Sequence, residues 1–364
     1  MTRAPYLHGC NYAWSTDGST AFYGLDFGEN VWGSHVGVST RREAVSRDFT
    51  EMAELGFTWT RWFVFGDGRS GIVYDDRGLP TGVDPFFFLD LDTGLEIARA
   101  AGIQVDLVLL DHQWLFTGLV DRIADPATGG VSTTRLPEGR AHVLLWDEGR
   151  DALFDHVIGP LVRRYGPVGT RADLADQVGA YEFMNEPDFA IDEWESDLSP
   201  RVPRPLPFAV LAECVGRLSA VVHEHSTAFA TLGGARLRNL WAWDDAALGL
   251  DVLQVHSYPD ARHPDRDVDI FGMPAASHGF GRPILLGEFP GNGPAQHPEW
   301  ALPPPTTLDD YLAFAVSAGY LGAWPWSFSG TDGYGRLPVE PLQRFAEAHP
   351  TLVNARCRFR SGRV

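Results

Sequence analysis

One apolar segment of the chain ends abruptly in Tyr181-Glu182-Phe183-Met184-Asn185-Glu186-Pro187. The residues from Val178 to Met184 are mostly apolar, which is typical of a buried β-strand. Proline has no backbone N–H to donate to a neighbouring strand, so we expect the strand to end at Pro187. The sequence therefore predicts that Asn185 and Glu186 lie at the tip of a strand.

A second carboxylate follows a similar segment later in the chain, where Ile284-Leu285-Leu286-Gly287 leads into Glu288. In folds made of repeated strands and helices, the carboxyl ends of parallel strands face one side of the molecule and carry the chemistry. We therefore expect Glu186 and Glu288 to lie close together. Two carboxyl groups in such positions are the minimum requirement for cleaving a glycosidic bond.

The order of the segments predicts the fold class. Helical spacing recurs at 39–55, 85–101, 146–165, 207–224, 308–318 and 338–348, mostly between segments that are typical of strands. Strands that alternate with helices form parallel sheets, and eight such units close into a (β/α)8 TIM barrel. A doubly wound open sheet is the alternative, disfavoured because no strand leads into a Gly-x-Gly-x-x-Gly turn. The strand candidates are 6–12, 57–65, 103–110, 178–184, 228–232, 252–255, 283–287 and 322–326.

The domain organisation that we expect is simple. The chain has 364 residues, and no segment resembles an interdomain linker, so we predict one catalytic domain over residues 1–350 and a tail over 351–364. Extended loops are predicted on the tip side of the barrel. The longest spans 111–141, and a loop of that length inside a compact domain is usually a wall or lid over a site.

Composition excludes several function classes. The net charge of −19 argues against nucleic acid as a partner and against anionic membranes. All 29 basic residues are arginine, which excludes mechanisms that need a Schiff-base or phosphate-loop lysine. Cys10, Cys214 and Cys357 match no metal-binding spacing, so we expect neither metal nor cofactor.

The three scattered cysteines also fit a reducing compartment. No run of signal-peptide length stands at the amino terminus, and no segment is apolar enough to span a membrane. We therefore expect a cytoplasmic protein, with secretion as the alternative if a leader has been removed. The sequence leaves the oligomeric state open.

Barrel enzymes take their catalytic residues from the carboxyl ends of the strands. A single histidine or tryptophan at such a position is usually structural, and a single glutamate usually caps a helix or forms a surface ion pair. The ordered set is more informative than any one member. The ends of the predicted strands carry Arg61, His112, Asn185, Glu186, His256, Tyr258, Glu288 and Trp326.

This set resembles a known family. Tyr-Glu-x-x-Asn-Glu-Pro on a fourth strand, His-x-Tyr on a sixth and Gly-Glu-Phe on a seventh are similar to the motifs of clan A retaining glycoside hydrolases, closest to family 5 (cellulases and mannanases). The resemblance extends to Arg61, His112 and Trp326 and covers nearly the whole chain. The chain departs from the family pattern at Pro290, where the family often has glycine, and at Trp62 and Phe63.

The resemblance implies a role for each residue in the hydrolysis of β-linked glucosides or mannosides. Glu186 would be the general acid/base and Glu288 the nucleophile, with a covalent glycosyl-enzyme intermediate. The substrate-binding residues would be Arg61 and Tyr258 beside Glu288, Asn185 at the sugar 2-hydroxyl, His112 and His256 at other hydroxyls or the acid, and Trp326 against the sugar ring. From strand alternation, we expect Glu182 to be a structural carboxylate deeper in the barrel.

Three other functions remain open at this point. A non-catalytic sugar-binding barrel has no need for both carboxylates. A transglycosylase would use every residue named here and differ only in how well it excludes water. A metal-dependent hydrolase on the same fold would lose activity with a chelator.

Overall fold

The computed structural model of the protein describes residues 6–15, 26–29, 35–68, 70–115, 120–124, 131–135, 140–194, 205–258, 273–291, 307–330 and 335–353. Its main sheet contains eight strands in chain order, and every neighbouring pair is parallel. The strands are β1 (Gly9–Asn11), β2 (Trp59–Phe63), β3 (Gln104–Asp111), β4 (Val178–Asn185), β5 (Phe229–Gly234), β6 (Leu253–His256), β7 (Ile284–Pro290) and β8 (Gly322–Trp326).

Backbone contacts connect the two ends of this sheet. Leu7, just before β1, forms a parallel bridge to Gly322 on β8, and its N–H donates to the carbonyl of Leu321 at 2.7 Å. The sheet is thereby closed into a barrel, which confirms the predicted (β/α)8 architecture. All eight predicted strands are present, although β1 is shorter than the predicted segment 6–12.

Helices on the outside of the barrel connect most of the strands. The predicted segment 146–165 is not one regular α-helix, because a π-helical turn at Phe154–Ile158 interrupts it. Pro160 has no N–H for the carbonyl four residues earlier, which accounts for a break in the regular ladder near this point. The helices are α1 (Arg42–Glu54), α2 (Phe87–Ala101), α3 (Ala141–Leu145), α4 (Asp147–Leu153), α5 (Gly159–Arg164), α6 (Phe208–His225), α7 (Leu240–Trp243), α8 (Leu308–Ser317), α9 (Val339–Ala348) and α10 (Pro350–Val353).

The loops after β2 and β3 contain additional structure. An antiparallel hairpin joins Ile72–Tyr74 to Pro80–Val83 after β2. The predicted loop 111–141 begins with a 3₁₀ turn at His112–Leu115 and contains a second hairpin, Val120–Ala124 with Val131–Arg135. Residues 116–119, 125–130 and 136–139 lie outside the described part, so the function of this loop as a wall or lid stays a prediction.

Other predictions also fall partly or wholly outside the described residues. Cys357 and most of the predicted tail 351–364 lie there, and the domain limits stay a prediction. Within the described residues, no helix has both the length and the apolar composition needed to cross a membrane.

The interior of the barrel is layered. Trp59, Arg61 and Phe63 alternate along β2, so all three point inward. Trp59 belongs to an apolar cluster at the amino-terminal end, where its ring centroid lies 5.9 Å from that of Trp324. Phe63 belongs to a second apolar cluster at the opposite end. Between these clusters lies a fully buried polar layer formed by Arg61, Asp106, Glu182 and Gln254.

Candidate active site

Glu186 stands at the end of β4, where the backbone turns sharply. Its φ of 49° and ψ of 48° place it in the left-handed region, and it is the one non-glycine residue with positive φ in the described part of the chain. Such backbone strain is concentrated at functional sites. The N–H of Glu186 donates to the carbonyl of Gly233 on β5 at 2.7 Å, which fixes this turn against the neighbouring strand.

Glu288 on β7 lies opposite Glu186. One carboxylate oxygen of Glu186, one carboxylate oxygen of Glu288 and one ring nitrogen of His256 all lie within 4.8 Å of one another. The side chain of Glu186 is 17% exposed and that of Glu288 is 6% exposed. Chain topology thus brings together the two carboxylates that the sequence predicted to be neighbours.

The carboxylate of Glu288 is held at both oxygens. Arg61 donates from Nη1 to Oε1 at 2.5 Å, and the Tyr258 hydroxyl donates to Oε2 at 2.9 Å. Burial raises the pKa of Glu288, and the contacts with Arg61 and Tyr258 oppose that rise. These two contacts fix the orientation of the carboxylate and favour its ionised form.

Arg61 has no surface that a sugar could reach. Its side chain is fully buried, and its five N–H groups are matched by hydrogen bonds to four protein side chains. The structure places Arg61 beside Glu288, where a saturated, buried guanidinium positions protein groups; its assignment as a substrate-binding residue stays a prediction. Its acceptors are Asn11, Glu182, Asn185 and Glu288, at distances from 2.5 to 3.1 Å.

His256 lies between the two carboxylates. Its Nδ1 is 3.1 Å from Oε1 of Glu186 and 3.5 Å from Oε1 of Glu288. Burial lowers the pKa of His256 to about 4, so the ring is neutral at pH 7 and donates to Glu186 when the proton is on Nδ1. Its side chain is 0% exposed, so of the two predicted partners of His256, Glu186 fits better than a sugar hydroxyl.

Asn185 and His112 flank Glu186 on the other side. Asn185 accepts from Arg61 at 2.7 Å and donates to Oδ2 of Asp111 at 2.8 Å, which leaves one amide hydrogen for another acceptor. Nδ1 of His112 is 3.4 Å from Asp111 and 4.0 Å from Oε2 of Glu186. Burial raises the pKa of Asp111, the residue that anchors this side.

Aromatic side chains form one side of the site. Trp326 is 8% exposed, and its ring meets those of Trp14 and Phe63 edge-on, at centroid distances of 5.8 and 6.2 Å. Tyr258 packs against the same cluster. Trp326 is therefore fixed by its neighbours, with a small part of its surface accessible.

The sequence prediction missed two residues near the site, Phe189 and Arg236. Phe189 follows the Asn-Glu-Pro turn, and its ring lies 5.2 Å from that of His112. The guanidinium of Arg236, which follows β5, lies 5.1 Å from the centre of the Phe189 ring. Reading two residues past the glycine pair at the end of β5 would have identified Arg236 as a strand-tip residue.

The site also contains a possible donor set for a metal ion in Glu186, His256 and Glu288. A neutral histidine with two carboxylates is a common combination for transition metals. Arg61 opposes it, because a guanidinium 2.5 Å from Oε1 of Glu288 already supplies the positive charge there. The donor set therefore fits a cation poorly.

Comparison with solved structures shows similar folds over nearly the whole chain. A β-mannanase from the blue mussel Mytilus edulis has a TM-score of 0.68 and 18% identity, covering 96% of this chain and 92% of its own. An endo-1,4-β-mannanase from Eisenia fetida has a TM-score of 0.68 and 19% identity, covering 94% and 91%. An exo-β-1,4-mannosidase from an Opitutaceae bacterium has a TM-score of 0.57 and 17% identity, covering 96% of this chain and 60% of its own.

At these identities the similarity establishes the fold alone. It confirms, at that level, the resemblance that the sequence motifs indicated. No protein-family model matches the sequence, and no curated protein matches it significantly.

Proposed function

We propose that the protein is a retaining glycoside hydrolase that cleaves β-linked mannosides or glucosides through a covalent glycosyl-enzyme intermediate. The observation that carries this proposal is that a carboxylate oxygen of Glu186, after β4, lies within 4.8 Å of a carboxylate oxygen of Glu288 on β7. Retaining enzymes place their carboxyl groups about 5–5.5 Å apart, whereas inverting enzymes leave about 6.5–9.5 Å for a water molecule. The observed spacing supports retention.

In the first step, the Glu288 carboxylate attacks the anomeric carbon. The bond from that carbon to the leaving oxygen breaks, and the oxygen takes the proton from Glu186. The product is an ester between Glu288 and the sugar. Arg61 and Tyr258 hold the attacking carboxylate in a fixed orientation, which lowers the entropic cost of the reaction.

In the second step, Glu186 takes a proton from water, and the resulting nucleophile attacks the same carbon. The ester bond breaks, and its electron pair returns to Glu288. His256 holds Glu186 in place, and the remaining amide hydrogen of Asn185 is available for the sugar 2-hydroxyl. Two inversions at one carbon restore the β-configuration.

Mannosides are the preferred substrates in this proposal, because the similar solved structures include enzymes named as β-mannanases. A transglycosylase uses the same two steps with a sugar hydroxyl in place of water. Product analysis at high sugar concentration separates these outcomes.

The proposal is tested by assaying Glu288→Gln and Glu186→Ala on aryl β-mannosides and aryl β-glucosides. We expect Glu288→Gln to lose on the order of 10⁴-fold or more in kcat, because the amide is a poor nucleophile. Glu186→Ala should stay slow on activated aryl glycosides until azide is added, when a β-glycosyl azide forms. Glu340→Gln, an exposed change on α9, is the matched control. Unchanged turnover by Glu288→Gln would rule out the proposed nucleophile.

A further inference from the structure

The polar layer beneath the site contains more acidic groups than its single cation balances. Arg61 on β2, Asp106 on β3 and Glu182 on β4 are each 0% exposed. Arg61 and Asp106 are direct partners across the two strands. If Asp106, Glu182 and Glu288 were all ionised, one arginine would face three buried negative charges, which is very unfavourable in a medium of low polarity.

Hydrogen bonds show which carboxylates carry their charge. Glu182 accepts from Nε of Arg61 at 2.7 Å and from Nη2 at 2.6 Å, a paired geometry typical of ionised carboxylates. It also accepts from the amide of Gln254 at 2.7 Å. Glu288 accepts from Arg61 and Tyr258. Both glutamates are therefore surrounded by donors.

Asp106 has the opposite surroundings. Neither of its oxygens has a hydrogen-bond donor among the described residues, and Oε1 of Gln254 also lacks one. Asp106 lies close to Glu182, Arg61 and Gln254; the charge of Arg61 and the contact with Gln254 lower the pKa of Asp106, whereas the charge of Glu182 and the contact with Glu182 raise it. Buried acceptors that face one another without a donor are costly, and one proton on Asp106 would supply the missing donor. Burial, followed by the negative charge of Glu182, raises the pKa of Asp106 well above its usual range.

We propose that Asp106 is a neutral carboxylic acid that donates a hydrogen bond within the polar layer, and that Glu182 is a positioning residue that orients Arg61 toward Glu288. This inference rests on the proposed function for its catalytic consequence. The paired contact with Glu182 fixes the plane of the guanidinium, so that Nη1 is directed at Oε1 of Glu288. With the proton on Asp106, Glu182 is the one anion among the four residues of this layer.

Kinetics of Glu182→Gln test the positioning role. Without the paired contact between Arg61 and the ionised Glu182, the guanidinium can move. We expect its displacement to lower kcat by about 100-fold. The carboxylate of Glu288 faces His256, Arg61, Glu186 and Tyr258. A displaced Arg61 no longer lowers the pKa of Glu288, so the acidic limb of the pH–rate profile should move to higher pH. A purely structural role would reduce the active fraction without moving this limb.

Asp106→Asn is the matched variant, because its amide retains both a donor and an acceptor in the same shape. We expect its kcat and its pH–rate profile to stay close to those of the wild type. Loss of activity comparable to that of Glu182→Gln would contradict a neutral Asp106. An unshifted acidic limb and unchanged kcat in Glu182→Gln would contradict the positioning role.

Infrared difference spectroscopy tests the proton directly, even if Glu182→Gln fails to fold. The spectrum of the wild type minus that of Asp106→Asn at pH 7 should show the carbonyl stretch of a protonated carboxylic acid. A carboxylate band in its place would overturn the inference. If the wild type hydrolysed no glycoside, the proposed function would fail, whereas this spectrum would still decide the state of Asp106.

Discussion

At the scale of single residues, the site depends on how Glu288 is held. Its carboxylate must be ionised to attack carbon, yet burial favours the neutral form. Arg61 and Tyr258 counter that tendency from two sides. The ionisation and orientation of Glu288 are therefore controlled by the two residues that donate hydrogen bonds to its carboxylate.

Tyr258→Phe tests this balance. The hydroxyl of Tyr258 lowers the pKa of Glu288, so its removal should raise that pKa and move the acidic limb of kcat/KM to higher pH. We expect a loss of about 10-fold or more in kcat, since a hydrogen bond to a charged group contributes about 1.5–3 kcal/mol. Tyr320→Phe, in the turn between α8 and β8, is the control and should leave the profile unchanged. A Tyr258→Phe profile that overlays the wild type would argue against this contribution.

At the scale of the strands, Gly233 on β5 allows the side chains of Arg61, Glu182 and His256 to lie close to the β5 backbone, which keeps the polar layer compact. A Cβ atom at Gly233 would lie 2.4 Å from Oε1 of Glu182 and 3.0 Å from both Nη2 of Arg61 and Nε2 of His256. Any side chain at this position would push apart groups that are already hydrogen-bonded. The absence of a side chain at Gly233 is thus a requirement of the site.

We expect Gly233→Ala to lower kcat by about 100-fold, because it displaces Arg61 and the groups that Arg61 holds. Gly216→Ala is the matched control, since a Cβ there meets no atom within 4 Å. Gly216 lies in α6, where alanine is favoured by about 0.8–1 kcal/mol, so this control should gain stability and keep its activity. Equal activity of the two variants would show that β5 does not constrain the site.

Predictions from the sequence were most successful where a strand ends. An apolar run that stops at Asn185-Glu186-Pro187, or at Glu288, can be recognised from residue order alone. The environment of Arg61 could not be recognised in this way, because barrel closure sets the five hydrogen bonds that Arg61 donates to side chains on three other strands. Asp106 was overlooked, although an acidic residue inside the run Val-Asp-Leu-Val is itself a signal of a buried polar contact.

At the scale of the whole molecule, closure of the barrel brings the segment before β1 against α9. His8, just before β1, packs against Phe57 and against Phe345 of α9, with ring centroids 4.7 and 4.9 Å apart. Burial lowers the pKa of His8 to about 3. This imidazole is therefore neutral in the folded protein over most of the pH range in which it is protonated in the unfolded chain.

The stability of the fold should depend on pH for this reason. Because the folded-state pKa is depressed, the contribution is fully present above the unfolded value of about 6.5 and is lost as the pH falls toward 3. We expect His8→Phe to reduce that loss by about 3 kcal/mol, measured by denaturant unfolding between pH 7 and pH 4. His256 contributes in the same direction and remains in this variant. The exposed change His156→Gln is the control; an equal effect from it would contradict the assignment to His8.

In the proposed function, Glu186 and Glu288 act by double displacement at one carbon. The most direct test of this mechanism is the proton NMR spectrum of an aryl β-mannoside, or of the best substrate found, recorded in the first minutes of hydrolysis. Double displacement predicts that the β-anomer of the free sugar appears first and converts to the α-anomer afterwards. Initial appearance of the α-anomer would contradict it, because a single inversion requires no bond between the sugar and Glu288.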